Sequence, residues 1–521
     1  MYLQIVTSPN NQTTKQPDNQ MTKIYNTIML VIALALASCS NKAVVPDSAT
    51  PSKNMPRIFP DYTEVTVPCN ISPLNFMAAD GSEAIVARLS CGDASFTYGE
   101  ENKVFIDEEE WHSLLNNANG KSISVEVFTR KGDTWTAYKP FNIYVAPDSI
   151  DAYISYRLIE PGYINYNHLA IVQRDITSFD ERDIYNNEGF ETEEGGQCIN
   201  CHSYQNHGTK NMLFHMRQNM GGTMIVNNGQ QKKVDLKTDS TISAGVYPAW
   251  HPTLNLIAFS TNKTGQSFHT KTPGKIEVFD EASDLILYDV DKNEVMTVSN
   301  EKDEFEIFPA WSPDGKTLYY GSAHFVFAEN DTTRHDAQVI NRHEEIKYSI
   351  YSRTFDPATL SFGAPVMVYD AAALGKSATL QRISPDGKYM IFSLGNFGCF
   401  HVWHPEADIY IMNLATKEVR CLEGINSNRS ESYPTFSSNG RWIMTDSRRD
   451  DSNYTRPYIA YFDKNGKCHK AFAVPQQDPE RNTLLLKSYN RPEFMKEPVD
   501  IPLSDFVNKA KEEPVKAKYK F

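Results

Sequence analysis

Two thiols three positions apart, followed at once by an imidazole, stand at Cys198, Cys201 and His202. A C-x-x-C-H string is the attachment signal for a covalently held c-type haem. Thiols at this spacing reach the two vinyl groups on one porphyrin edge, and the next histidine then lies under the iron as its proximal ligand. The string therefore predicts one haem c, bonded through Cys198 and Cys201 and ligated by His202. The sixth iron position stays open among Met212, His215, Met216 and His207, with Met220, His401 and His404 as further candidates. A methionine there would raise the potential relative to a histidine. Other chemistries use the same thiols: a tight disulfide or redox pair, or a zinc site completed by His207 or His215. Only the haem reading uses His202. A thioredoxin-like pair would want a βαβ context, whereas Gly195-Gly196 before the string and residues 203–210 after it read as loop.

The elements that must position this string come from an internal repeat. Val246-Tyr247-Pro248-Ala249-Trp250-His251-Pro252 precedes an apolar run at 256–260, and Ile307-Phe308-Pro309-Ala310-Trp311-Ser312-Pro313-Asp314-Gly315-Lys316 precedes another at 318–320. Arg382-Ile383-Ser384-Pro385-Asp386-Gly387-Lys388 and Tyr433-Pro434-Thr435-Phe436-Ser437-Ser438-Asn439-Gly440 repeat the unit. Each reads as strand, tight turn, strand, with Asp-Gly or Asn-Gly supplying the positive φ of a two-residue hairpin. Second hairpins lie between them, such as Asp284-Leu285-Ile286-Leu287-Tyr288 and Asp408-Ile409-Tyr410-Ile411-Met412, so each unit holds four strands, as a propeller blade does. The S-P-D-G-K turn followed by a D-I-Y strand resembles the TolB-like β-propeller family. That resemblance covers residues 203–475, about half the chain, and at roughly 40 to 45 residues per blade implies about six blades. Residues 211–216 would be the second strand of the first blade, which sets the thiols at its rim.

Before the repeat, residues 61–146 alternate as strands do: Ile123, Val125 and Val127 against Ser122, Ser124 and Glu126, then a turn at Lys131-Gly132-Asp133. With one short helix at 108–116, this predicts an immunoglobulin-like β-sandwich, in which a Cys69–Cys91 bridge and two unrelated buried thiols are both open readings. Residues 147–195 form a connecting segment whose Tyr153, Tyr156, Tyr163 and Tyr166 read as packing between two β domains. The insertion at 322–348 falls short of H-E-x-x-H, because Lys347 stands where the second histidine is needed, and reads as a solvated loop. Arg448-Arg449-Asp450-Asp451 reads as a salt-bridged rim turn. Residues 476–521 read as a charged tail with no nucleophile elbow, which leaves a peptidase without its catalytic half.

The first 38 residues read as a targeting segment, with Met21 as a possible true start, Lys23 as a positive region and 28–37 as an apolar run. Leu36-Ala37-Ser38-Cys39 resembles a bacterial lipoprotein signal. The resemblance implies lipidation of Cys39, and Ser40 after it implies the outer membrane. Residues 39–60 would then be a tether. Haem attachment to C-x-x-C-H belongs outside the bacterial cytoplasm, as the same resemblance implies, so the two signals agree.

The formal charge of -14 lacks the basic stripe that phosphates need, which excludes nucleic acid as partner. With 27 Tyr and 27 Phe, the composition favours strands. The expectation is thus a mainly β chain: an immunoglobulin-like sandwich followed by a roughly six-bladed TolB-like propeller, lipid-anchored in the cell envelope. It would carry one haem and serve electron transfer or haem-linked sensing with a protein or redox partner, as a carrier or binding protein and not as an enzyme. The alternatives are a haem-free propeller scaffold for a protein or glycan, and a cytochrome maturation factor whose C-x-x-C handles thiols.

Overall fold

Along Ser122–Lys131 the side chains of Ile123, Val125, Val127 and Thr129 are buried and those between them are less so, the period of two expected of a half-buried strand. The computed structural model describes residues 43–160, 167–188, 197–270, 272, 274–328 and 333–520, and residues Val44–Phe521 form one compact unit. Ser122–Lys131 is the spine of a seven-stranded sheet, antiparallel to Ala84–Cys91, Thr134–Ala137 and Phe141–Ala146. A three-stranded sheet of Ile58–Phe59, Phe76–Ala78 and Lys103–Val104 shares its core. Helix Glu108–Asn117 forms because Asp107 accepts the Glu110 amide at 3.0 Å as an N-cap, while Trp111, Leu114 and Leu115 turn inward. Cys69 and Cys91 are free thiols, so no bridge staples this domain.

The remainder is a propeller-like series of antiparallel sheets. Tyr153–Ile159, Ala170–Asp175 and Glu181–Asn186 make the first, joined on its inner edge by Ser488–Met495 from the far end of the chain. The further inner strands are Ile199–Gln205, Gly245–Trp250, Glu304–Trp311, Ser377–Ile383 and Glu431–Phe436, each opening an antiparallel run; the runs from Gly245–Trp250 and Glu304–Trp311 join as one ten-stranded sheet where Ser283 pairs with Phe305 in parallel. Each inner strand contacts the next, and Ser488–Met495 contacts both Glu431–Phe436 and Ile199–Gln205, so the series returns on itself. One apolar core runs from the N-terminal domain into this ring through Tyr156, Trp442, Met444 and Phe472. Polar clamps seal the junction: Asp151 accepts both the amide and the hydroxyl of Ser438, at 2.6 and 2.5 Å, and Trp442 Nε1 donates to the Ser149 carbonyl at 2.9 Å.

The turns differ from the two-residue hairpins expected. Ser312 N donates to Thr317 O at 2.8 Å, leaving residues 313–316 as the loop, with only Gly315 at positive φ (70°). Asp314 organises it by accepting the Ser312 hydroxyl at 2.5 Å and the Lys316 amide at 3.0 Å, an Asx turn that Asp386 repeats. A true two-residue turn occurs instead at Asn206-His207, both at positive φ, between the paired residues Gln205 and Gly208.

Several expected boundaries move. Residues 43–60 are not a free tether, since Thr50–Pro51 and Ile58–Phe59 both pair with the domain behind them. The connecting segment contributes three strands of the first sheet. The C-terminal residues are not a loose tail. Beyond the closing strand, helix Leu503–Ala510 buries Phe506 against Phe214, and Lys233 Nζ caps the helix end by donating to Ala510 O and Glu512 O at 2.7 and 2.9 Å. Val515–Lys516 and Lys518–Tyr519 then add as parallel edges to the outer strands of two neighbouring sheets. The insertion at 322–348 contains helix His335–Asn341 with Val339 buried, and its Arg342 pairs with Glu345 at 2.7 Å. Cys39, Tyr163 and Tyr166 lie outside the described residues. Among those described, no helix is long and apolar enough to cross a membrane.

Candidate axial site

Every inner strand is bulged at the same place. The ladder shifts register at Asn200/Ser203, Val246/Ala249, Ile307/Ala310, Thr379/Arg382 and Ser432/Thr435, and opposite Ser488–Met495 at Ser155/Arg157. One residue in each bulge adopts positive φ: Cys201 at 53°, Tyr247 at 51°, Phe308 at 54°, Leu380 at 59°, Tyr433 at 48° and Arg491 at 54°. A side chain held in that region is strained, and only surrounding structure keeps it there. Aligned on the bulge, Tyr247-Pro248-Ala249-Trp250, Phe308-Pro309-Ala310-Trp311, Tyr433-Pro434-Thr435-Phe436 and Arg491-Pro492-Glu493-Phe494 share one pattern. Leu380-Gln381-Arg382-Ile383 and Cys201-His202-Ser203-Tyr204 fill the same four positions.

This register explains the C-x-x-C-H string. Cys201 is a bulge residue, and His202 occupies the position that is proline in four of its counterparts. Cys201 neighbours Arg491 and Tyr247, whereas the His202 ring lies 6.1 Å from that of Tyr204 and touches the Ser155 backbone. They are 3% and 1% exposed. A porphyrin bonded to Cys201 and ligated by His202 needs an open face that both residues share, and this strand is packed on both sides. The residues present do not fit haem c. His202 Nε2 is buried without a hydrogen-bond partner, and burial pushes the imidazole pKa down to about 3.

The other expected ligands disperse. Met212 and Met216 belong to the apolar core with Phe214 and Met224, while His215 lies on the opposite face of the same strand, its Nδ1 3.1 Å from Thr223 Oγ1. Burial also brings His215 and His401 down to about 3. His401 Nδ1 faces Ser393 Oγ at 3.1 Å, and His404 Nε2 meets Glu277 at 2.6 Å. Met220 is half-buried against the core. Cys198 and Cys201 are free thiols, so the disulfide alternative is not formed either. Among the described residues no group of three or more His, Cys, Asp or Glu is placed to hold a metal ion.

What the bulges do build is an axial mouth. The third residue of each pattern, namely Ser203, Ala249, Ala310, Arg382, Thr435 and Glu493, lines a cavity of about 340 Å³, and Tyr204, Trp250, Trp311, Phe436 and Phe494 edge it. Four of the six third positions are small or hydroxylic; the two exceptions are charged and meet. Arg382 approaches Glu493 at 3.6 Å, and Arg491 Nε donates to the same carboxylate oxygen at 3.1 Å. Burial opposes ionisation of Glu493, but Arg491 and Arg382 beside it hold its pKa below the ordinary carboxylate value. Burial, and then the nearby Arg491, lowers the Arg382 pKa. Two guanidiniums thus share one carboxylate, leaving one positive charge in a partly enclosed mouth. His207 stands at its edge, its Nδ1 3.2 Å from Phe494 O. Of the string's neighbourhood, Ser203, Tyr204, Asn206 and His207 reach this cavity, while Cys201 and His202 do not line it. Sequence reasoning missed Arg382, Arg491 and Glu493, although their departure from the repeat's own pattern was the available signal.

Neither a known protein family nor a curated protein matches this sequence. Solved structures resemble it weakly. An oligogalacturonate lyase in complex with manganese is 12% identical over 66% of this chain and 86% of its own, with a TM-score of 0.29. The cobalt-substituted apocarotenoid oxygenase of Synechocystis is 11% identical over 83% of this chain and 98% of its own, at 0.35. Prolyl oligopeptidase B from Galerina marginata is 11% identical over 67% of this chain and 42% of its own, at 0.34. These proteins are enzymes, and the expectation that this chain is not one is withdrawn. Likeness at this level points to no particular reaction.

Proposed function

We propose that the axial mouth binds an anionic small molecule, as ligand or substrate, through Arg382 and Arg491. The observation that carries this reading is the pair of guanidiniums around the single Glu493 carboxylate. A carboxylate or similar group entering the mouth would complete the charge balance and gain charge-assisted hydrogen bonds, while the aromatic edge would hold an apolar or ring-shaped remainder. The cavity of about 340 Å³ admits one small molecule. The experiment is a thermal-shift panel of dicarboxylates, uronic acids and short peptides against neutral analogues. Stabilisation by the acids alone supports the reading; equal effects of acid and neutral forms refute it.

The setting of this site extends the proposal. The closed series of inner strands supports a six-bladed, TolB-like ring, with Ser488–Met495 closing the first blade. Two sheets sharing one core support an immunoglobulin-like reading of the N-terminal domain, with its helix as an addition. Lipidation at Cys39 would fix the protein to the bacterial cell envelope, at the outer membrane. Replacement Cys39→Ala should move the protein from the membrane to the soluble fraction; unchanged fractionation would remove the anchor.

A further inference from the structure

Among the described residues that line the axial mouth, His207 is the only histidine. It is the second residue of the two-residue turn between Gln205 and Gly208, with φ of 63°, a position that suits glycine and costs a histidine backbone strain. Two contacts hold it there: its carbonyl accepts the Lys496 amide at 3.0 Å, and its Nδ1 lies 3.2 Å from Phe494 O. A carbonyl oxygen only accepts, so Nδ1 carries the proton and donates it to Phe494. Nε2 is then the nitrogen with the lone pair.

Among the described residues nothing donates to His207 Nε2, and unlike His202 Nε2 it is not sealed from solvent. With Nδ1 turned to the wall at Phe494, the ring edge that lines the cavity is the one bearing Nε2. Burial keeps the imidazole pKa below the ordinary 6.5, so the ring is neutral at pH 7 and the lone pair is free to accept. His207 also neighbours the Glu493 carboxylate that Arg382 and Arg491 share. The lone pair and the guanidiniums therefore face one cavity of about 340 Å³, within the span of a single small molecule. Guanidiniums only donate, whereas this nitrogen only accepts. Resting on the anion reading of the mouth, we propose that His207 Nε2 accepts a hydrogen bond from the ligand, so that the site selects hydroxy acids over acids without a hydroxyl.

Quinate and cyclohexanecarboxylate make the test: they share a saturated ring and one carboxylate, and only quinate bears hydroxyls, at several distances from the carboxylate. His207→Gly suits the positive φ and should fold as the parent does, read by thermal unfolding. In isothermal titration of the full chain, quinate should bind His207→Gly about threefold to tenfold more weakly than the parent, the loss of one neutral hydrogen bond. Cyclohexanecarboxylate should keep its parent affinity, because it never uses Nε2. Arg382→Gln should weaken both acids. An equal change of the two acids in His207→Gly, or no change in either, overturns the role of His207; if Arg382→Gln still weakens both, the anion reading of the mouth stands without it. An Arg382→Gln chain that binds both acids as the parent does, or a parent that binds neither, removes the anion reading and this inference with it.

Discussion

His202 is neutral because it is buried, and that makes it a liability in acid. Its folded-state pKa of about 3 lies below the ordinary 6.5. Above pH 6.5 neither state takes up a proton here, so its contribution is fully present. As pH falls from 6.5 toward 3, the unfolded chain binds the proton and the folded chain does not, costing about 1.4 kcal/mol per pH unit. Urea unfolding at pH 7 and pH 5 should therefore show a smaller loss for His202→Gln than for the parent chain, by about 2 kcal/mol. An identical loss would mean that the imidazole is protonated in the fold. The same residue shows the limit of reading local strings. C-x-x-C-H was legible as chemistry, but its register within the repeat was not, because cysteine and histidine replace the aromatic and proline that mark the bulge elsewhere. The clue was spacing: Tyr204 precedes Gly208 by the interval that separates Trp311 from Gly315, Ile383 from Gly387 and Phe436 from Gly440.

At the scale of the element, the strands were legible from their period of two and from the Asp-Gly and Asn-Gly turns, while the turn geometry was not. An Asp side chain that accepts two hydrogen bonds stabilises a four-residue loop, and that local preference is invisible to a rule based on the dipeptide alone. The two Asp-Gly loops also differ in their surroundings. Gly315 and Gly387 have φ of 70° and 71°, so alanine at either should cost about 1–2 kcal/mol in backbone strain. A methyl group at Gly315 would also collide with the His251 ring, whose Nε2 lies 3.1 Å from Gly315 O, whereas at Gly387 the nearest outside atom is Pro313 Cδ at 4.0 Å. Gly315→Ala should thus lower stability by about 2 kcal/mol more than Gly387→Ala, read by denaturant unfolding. Equal effects would show that the His251 ring moves aside freely.

For the whole molecule, closure of the ring is the feature that the sequence concealed. Ser488–Met495 carries Arg491-Pro492-Glu493-Phe494 without the Asp-Gly turn that follows other copies, since it ends its sheet and leads into helix Leu503–Ala510. A repeat recognised by its turns stops one strand too early. Chains ending after residue 512 lose only the two short edge strands and should unfold cooperatively, within about 1–2 kcal/mol of the full chain. Chains ending after residue 487 lose the inner edge of the first sheet together with Arg491 and Glu493, and should aggregate or unfold without a cooperative transition. Cooperative unfolding of the shorter chain would contradict closure by this strand.

The central claim is that an asymmetric pair of arginines turns a repeated scaffold into an anion site. Isothermal titration of the full chain with the acid that most stabilises it, beside Arg382→Gln and Arg382→Lys, tests this most directly. Binding should weaken by about tenfold to a hundredfold in Arg382→Gln and be partly kept in Arg382→Lys. Unaltered affinity in Arg382→Gln, with the variant folded, would contradict the account.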